Sequence, residues 1–197
     1  MFFKCSRGFI VASTCLTLAG TGATAAFGAD LEGVRLDDRV VVSGEPLHLN
    51  GIGLRSQLVF RVYVAGLYLP EKTRNASDAL AESKAKRMSL VMLRDISGER
   101  FAASIREGIA ENVTEAEAAA IRPQVDALMA IIGRIGEAKK GMVIELDYAP
   151  SPGMTVHVDG VQQGGPIEGE TLFRSLLRIW IGEHPIQLDL KKALLGG

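Results

Sequence analysis

Cysteine is nearly missing from this 197-residue chain: there are two, Cys5 and Cys15, both close to the start. Beyond Cys15 the sequence can form no disulfide, no thiolate metal site and no cysteine nucleophile. Stability must therefore come from a packed core, which the remaining length can supply. Charge of one sign is missing too, with 22 Lys+Arg against 23 Asp+Glu and a formal net charge of -1. The basic residues are spread along the chain, so the positive field on which nucleic-acid binding draws is absent, and no nucleic-acid partner is expected. The three histidines, His48, His157 and His184, are too dispersed for any local metal-ligand spacing, and no H-E-x-x-H occurs. No G-x-S-x-G elbow is present, and "QQGGPIEGET" lacks the lysine and spacing of a phosphate loop. Neither a metal nor any other cofactor is expected.

What the chain does have begins with its first 26 residues. Lys4 and Arg7 precede an apolar stretch from Gly8 to about Gly20, and small residues follow as far as Ala26. This is the layout of a secretory signal peptide, with cleavage expected near Ala25 or Ala26. The apolar stretch is shorter than the roughly 20 residues that span a bilayer, which argues against a membrane anchor. Thr14 is also a poor residue to precede a lipidated Cys15. The sequence thus divides into a leader over 1–26 and one domain over 27–197, expected to be periplasmic or secreted with no stable membrane span. Loss of Lys4 and Arg7 would leave 20 basic against 23 acidic residues, a net charge of -3.

Within the domain, "DRVVVSGEPLHLNG" reads as two short strands around Gly44-Glu45-Pro46, followed by a turn at Asn50-Gly51. Leu58 to Leu69 reads as a long central strand, apolar on both faces. A short helix in "NASDALAESKAK" and a strand over Arg87 to Asp95 follow. Phe101, Ile105 and Ile109 recur every four residues as the stripe of a helix that begins near Ser97. Thr114 and Glu117 make a capping box for a second helix, with Ile121, Val125, Leu128, Met129 and Ile132 on one face, and Pro123 inside that pattern leads to an expected kink or break near Arg122. "GMVIELDYAPSPGMTVHVDG" alternates as a hairpin, with Met142, Ile144, Leu146 and Tyr148 on one side and Val143, Glu145 and Asp147 on the other. Asp159-Gly160 is a further turn signal. A helix over about Glu168 to Ile181 carries Leu172, Phe173, Leu176, Leu177 and Trp180 on one face, and Asp189 is expected to cap a short closing helix. Strands, then helices, then a hairpin, then helices indicate an α+β fold with a largely antiparallel sheet backed by helices on one face.

Two arginines, Arg55 and Arg61, sit in this apolar strand region. An arginine there can pair with a carboxylate of the protein, keep its head in water with its stem packed, or face a cavity and await an anion. A dry, unmatched guanidinium would cost several kcal/mol, about what burial of any unpaired ion costs in a folded protein. Arg55 has a further structural use, bracing the segment from Gly51 to Gly53 by bonding loop carbonyls.

"LNGIGLR" (49 to 55), "FRVYVAGLYLP" (60 to 70), "DISGERFAASIREGI" (95 to 109), "TEAEA" and "IWIGEHPIQLDLKKALLG" follow one another along the domain. Together they resemble the chalcone isomerase family, in particular its bacterial chalcone isomerase-like branch. The resemblance implies an open-faced β-sandwich, a large antiparallel sheet backed by helices with a ligand cleft between them. The family's catalytic arginine, which follows a G-x-G segment, is matched by Arg55. Its threonine falls on Tyr63, its helix-start tyrosine on Phe101 and its asparagine on Gly108, so the polarising side chains are changed or lost. Loss of preorganised oxyanion donors typically costs about 100-fold to 1000-fold each, which makes efficient chalcone cyclisation unexpected.

Related members that bind fatty acids hold the carboxylate with an arginine and a tyrosine. The resemblance therefore implies a binding protein for an amphiphilic small molecule, a fatty acid or related carboxylate. Arg55 and Tyr63 would hold the head, with Arg61, Tyr68, Phe101 and Ile105 as further candidates for the cleft. The alternatives are an isomerase (intramolecular lyase) on an unidentified conjugated substrate, with Arg55 as electrostatic catalyst, and a protein-interaction module whose cleft is closed.

Overall fold

A computed structural model describes Met1 and residues 28–81 and 84–197. Apart from Met1, the leader expected over 1–26 lies outside the described residues. A small hairpin comes first, β1 (Ala29–Leu31) and β2 (Val34–Leu36). Seven strands then form one sheet in chain order: β3 (Arg39–Val42), β4 (Glu45–Gln57), β5 (Phe60–Leu69), β6 (Lys86–Met92), β7 (Val143–Ala149), β8 (Gly153–Val158) and β9 (Val161–Gln162). Every neighbouring pair is antiparallel, so each strand bonds to the strand next in sequence. A short helix α1 (Ala76–Ala81) precedes β6, α2 (Gly98–Asn112) and α3 (Glu115–Ile135) separate β6 from β7, and α4 (Glu170–Ile181) and α5 (Leu188–Leu194) close the chain. This is the α+β arrangement read from the element order.

Alternation along the strands divides the sheet into two unlike faces. Ala65, Leu67 and Leu69 of β5, Met88, Leu90 and Met92 of β6, Ile144, Leu146 and Tyr148 of β7, and Met154 and Val156 of β8 are buried together with the helices in the main core. The face read for α4 is the one buried: Leu172, Phe173, Leu176, Leu177 and Trp180. Phe173 stacks on Tyr148 with ring centroids 5.4 Å apart, which ties α4 to β7. The opposite sheet face carries a smaller cluster of Leu36, Leu47, Leu49 and Tyr68, covered in part by the β1–β2 hairpin.

Four local expectations are corrected. Pro123 does not break its helix, because α3 runs from Glu115 to Ile135 across it. A proline inside a helix costs about 3 kcal/mol, and α3 offsets this with the complete Thr114–Glu117 capping box and with the burial of Ile121 and Leu128 on either side. Asn50-Gly51 is not a turn but an irregularity within β4, where the register with β5 shifts between Leu49 and Gly51. The Asn50 side chain is engaged at both ends, donating from Nδ2 to Leu194 O at 2.7 Å and accepting from Thr73 N at 2.7 Å. Gly51 permits the close approach of α5, since a Cβ there would lie 2.1 Å from Ala193 O. Leu58 and Val59 belong to the β4–β5 turn, so the long strand begins at Phe60. The closing helix has Gln187 at its N-cap, with Asp189 inside the first turn.

Candidate functional site

Arg55 and Tyr63 are direct cross-strand partners in the β4–β5 register. Such partners project on the same face of a sheet, and here it is the helix-covered one. Arg55 is half-buried. Its Nη1 donates to the backbone O of Ser56 at 2.5 Å and to Gln187 Oε1 at 3.2 Å. Gln187, at the start of α5, also accepts from Ser56 N at 2.9 Å and donates to Leu54 O at 3.3 Å. The Arg55 guanidinium is thus bonded to neutral oxygens, and among the described residues it makes no ion pair with a carboxylate.

Tyr63 is buried in the main core. Its hydroxyl accepts the indole N–H of Trp180 at 2.9 Å, and its own proton meets no acceptor among the described residues. Burial pushes this hydroxyl up from 10.0 to about 12, against the opposing pulls of the Trp180 bond and the nearby Arg55 charge. The pair therefore combines an unneutralised cation with a neutral phenol whose O–H remains to be donated. A carboxylate satisfies both, since a guanidinium and a hydroxyl are each donors to it.

The other candidates fall elsewhere. Arg61 is exposed and forms an ion pair with Glu32, in the β1–β2 turn. That is the first of the three explanations open to a strand arginine, and it removes Arg61 from the side of Tyr63. The register irregularity between Arg55 and Ser56, opposite Val62, interrupts the strand alternation between Arg61 and Tyr63. Tyr68 lies on the opposite sheet face, where it donates to Asp37 O at 3.0 Å. Burial first, and then the Asp37 carboxylate, push its hydroxyl up. Ile105 is buried and Phe101 partly buried in the helix-side core. Gly108 is a packing position, because a Cβ there would come within 2.8 Å of Ile179 on α4. Any side chain at that point, asparagine included, would require Ile179 to shift.

Sequence reading missed two groups. Trp180 was placed on a buried face, but its bond to Tyr63 joins residues 117 positions apart and has no local signal. The second group lies on the outer sheet face. Arg87 is gripped by Asp147 through Nε at 2.5 Å and Nη2 at 2.6 Å, and by Glu145 through Nη1 at 2.6 Å. His157 Nδ1 stands 3.6 Å from Asp147 Oδ2. A groove of about 570 Å³ opens beside this cluster, between the β1–β2 hairpin and the sheet, with Tyr68, Arg87, Ser89 and Glu145 in its lining. Alternation had already put Glu145 and Asp147 on one side of their strand, so half of this cluster was visible in advance.

Comparison with known proteins agrees with this architecture. The crystal structure of an Arabidopsis thaliana fatty-acid binding protein, AtFAP1, superposes with a TM-score of 0.65 at 17% identity, over 83% of this chain and 92% of that one. No curated protein matches the sequence. The family model described as chalcone isomerase-like matches residues 28–196, almost the whole described chain, and the protein belongs to that family.

Proposed function

We propose that this protein binds an amphiphilic small molecule, a fatty acid or related carboxylate, with Arg55 and Tyr63 holding the anionic head between the sheet and the helices. The observation that carries the reading is the state of that pair: Arg55 touches only neutral acceptors, and the Tyr63 proton has none among the described residues. The fold shared with a fatty-acid binding protein supports the same class of ligand. Binding requires Gln187 to release Arg55, and the acyl chain has to displace packed side chains near Trp180, Ile105 and Phe101. With the expected leader removed, the protein would act in the periplasm.

The close packing around Tyr63, which is 6% exposed, favours a second reading in which the cleft stays shut and the protein serves a macromolecular partner. Titration of the purified protein with long-chain fatty acids, followed by native mass spectrometry, separates the two. Binding that falls roughly 10-fold to 100-fold in Arg55→Ala, as expected for loss of a charge-assisted bond, and is unchanged in Arg61→Ala, supports the carrier. Equal binding by Arg55→Ala and the unaltered protein refutes the head-group assignment, and no binding by either favours the closed cleft.

A further inference from the structure

Four hairpins in this fold turn through two residues, and three use the same chemistry. Glu32-Gly33, Ser43-Gly44 and Asp159-Gly160 each pair a polar residue with a glycine, and both members of each pair have positive φ. Such turns suit the twist of the flanking strands and favour Asn, Asp and Gly. The β4–β5 hairpin, closed by the Gln57–Phe60 pair, turns instead through Leu58-Val59. Leu58 holds a φ of 55°, a conformation that glycine or asparagine adopts with less strain. Leu58 is 92% exposed, Val59 88% and Phe60 52%. Three consecutive large apolar side chains thus stand in water at the end of a long hairpin, at a turn where the rest of the protein places polar residues.

A cation stands directly against them. The Arg94 guanidinium lies over the Phe60 ring, 4.5 Å from its centroid. Arg94 follows β6, and the exposed Lys139 and Lys140 precede β7. The antiparallel register brings these segments to the same end of the sheet as the tip. Arg61 is there too, neutralised by Glu32, and Asp95 accepts from the Lys140 backbone N–H. Glu137 and Asp159 lie farther from the tip along the same edge, so the charge nearest the apolar side chains is the Arg94 cation, with the exposed Lys139 and Lys140 beyond it. Leu188, 67% exposed, follows Gln187, which is itself bonded to Ser56 near the foot of the tip.

We infer that the β4–β5 tip docks on an anionic lipid surface, with Leu58 and Val59 entering the acyl boundary and Arg94, Lys139 and Lys140 among the head groups. The pattern is that of interfacial anchoring, apolar groups inserted a few Å and cations held at head-group level. A second copy of the chain is a poorer occupant, because three side chains fall far short of the roughly 800 Å² per partner in a stable protein interface. Docking stands on the tip alone. One extension rests on the proposed carboxylate site: Arg55 lies only two residues before Gln57, so an amphiphile leaving the bilayer at the tip would meet this cation at once.

Flotation of the full-length protein with phosphatidylcholine vesicles, with and without a third phosphatidylglycerol, provides the test. The Leu58→Ser/Val59→Ser protein should partition at least about tenfold less than the unaltered one into the anionic vesicles, as removal of buried apolar area requires. The two proteins share the same N-terminus, so the difference reports the tip. Arg94→Glu should weaken binding several-fold on anionic vesicles and little on neutral ones. In Val59→Trp, brominated lipids should quench a new fluorescence component, whereas the native Trp180, 3% exposed, provides an unquenched baseline. Circular dichroism checks that each variant is folded. Equal partition of the double-serine and unaltered proteins, or no quenching in Val59→Trp, overturns the proposal. So does a self-association, seen by analytical ultracentrifugation without lipid, that the double-serine change abolishes. Fatty-acid binding in solution should survive the double-serine change, so a failure at the tip is distinguishable from a failure at Arg55.

Discussion

The indole N–H of Trp180 donates to the hydroxyl of Tyr63 across 2.9 Å, a buried bond that joins the end of α4 to β5 beneath Arg55. It uses the acceptor side of the phenol and leaves the proton. The same contact thus ties the helix layer to the sheet and leaves the phenol proton without an acceptor among the described residues.

Removing either partner leaves the other polar group buried and unsatisfied. Trp180→Phe and Tyr63→Phe should each destabilise the protein by about 1–3 kcal/mol in urea unfolding. The double variant should cost less than the sum of the two, because the second substitution removes a group already orphaned. Strict additivity would show that the bond contributes nothing.

The chain has three tyrosines, and all three hydroxyls, at Tyr63, Tyr68 and Tyr148, are pushed up, chiefly by burial. A proton held more tightly in the folded state makes stability fall with pH wherever the unfolded chain has already released it. That window opens at about 10, the unfolded value, and for Tyr63 extends to about 12. Ultraviolet titration should therefore show less tyrosinate at pH 10 in the folded protein than in the same protein unfolded in urea, with absorbance rising together with the unfolding signal above it. Equal tyrosinate at pH 10 in the folded and unfolded proteins would contradict the burial of these hydroxyls.

Arg87 is held by both oxygens of Asp147 and by Glu145, all three side chains at least four-fifths buried. Arg87→Met leaves two adjacent carboxylates without their cation and should cost about 3–5 kcal/mol. Adding Glu145→Gln and Asp147→Asn to that variant should recover part of the loss, because neutral amides carry a smaller desolvation penalty. Thermal unfolding of the three proteins measures this order directly.

Gly51→Ala should loosen α5 selectively. The new methyl would press on the Ala193 and Leu194 carbonyls at 2.1 and 2.6 Å, which belong to helix backbone and cannot swing aside. Overpacking of this kind costs about 1–3 kcal/mol or more. Amide hydrogen exchange should quicken in α5 while β6 and β7 keep their protection, and uniform loss across the molecule would argue against a local latch.

Much of this architecture was legible because strand and helix periodicities are short-range. The period of two in β7 separated Ile144, Leu146 and Tyr148 from Glu145 and Asp147, and the two sets do lie on opposite faces. The Thr114–Glu117 spacing announced the start of α3. Where reading failed, the deciding contact came from far away. Asn50-Gly51 has the letters of a turn, but bonds to Leu194 and Thr73 draw it into a strand. Pro123 has the letters of a break, but burial on either side carries the helix through it.

The candidate site divides along the same line. The α+β class, the order of the strands and the presence of arginines in an apolar segment followed from composition and periodicity, which depend on neighbours a few residues apart. Which arginine keeps an unmatched charge did not. Arg61 is neutralised by Glu32, 29 residues earlier, and Arg55 is met by Gln187, 132 residues later. Tyr63 likewise keeps its proton through burial in the folded core, and its one hydrogen-bond partner among the described residues, Trp180, comes from 117 positions away. Charge compensation and desolvation depend on distance in space, and only the folded chain sets those distances.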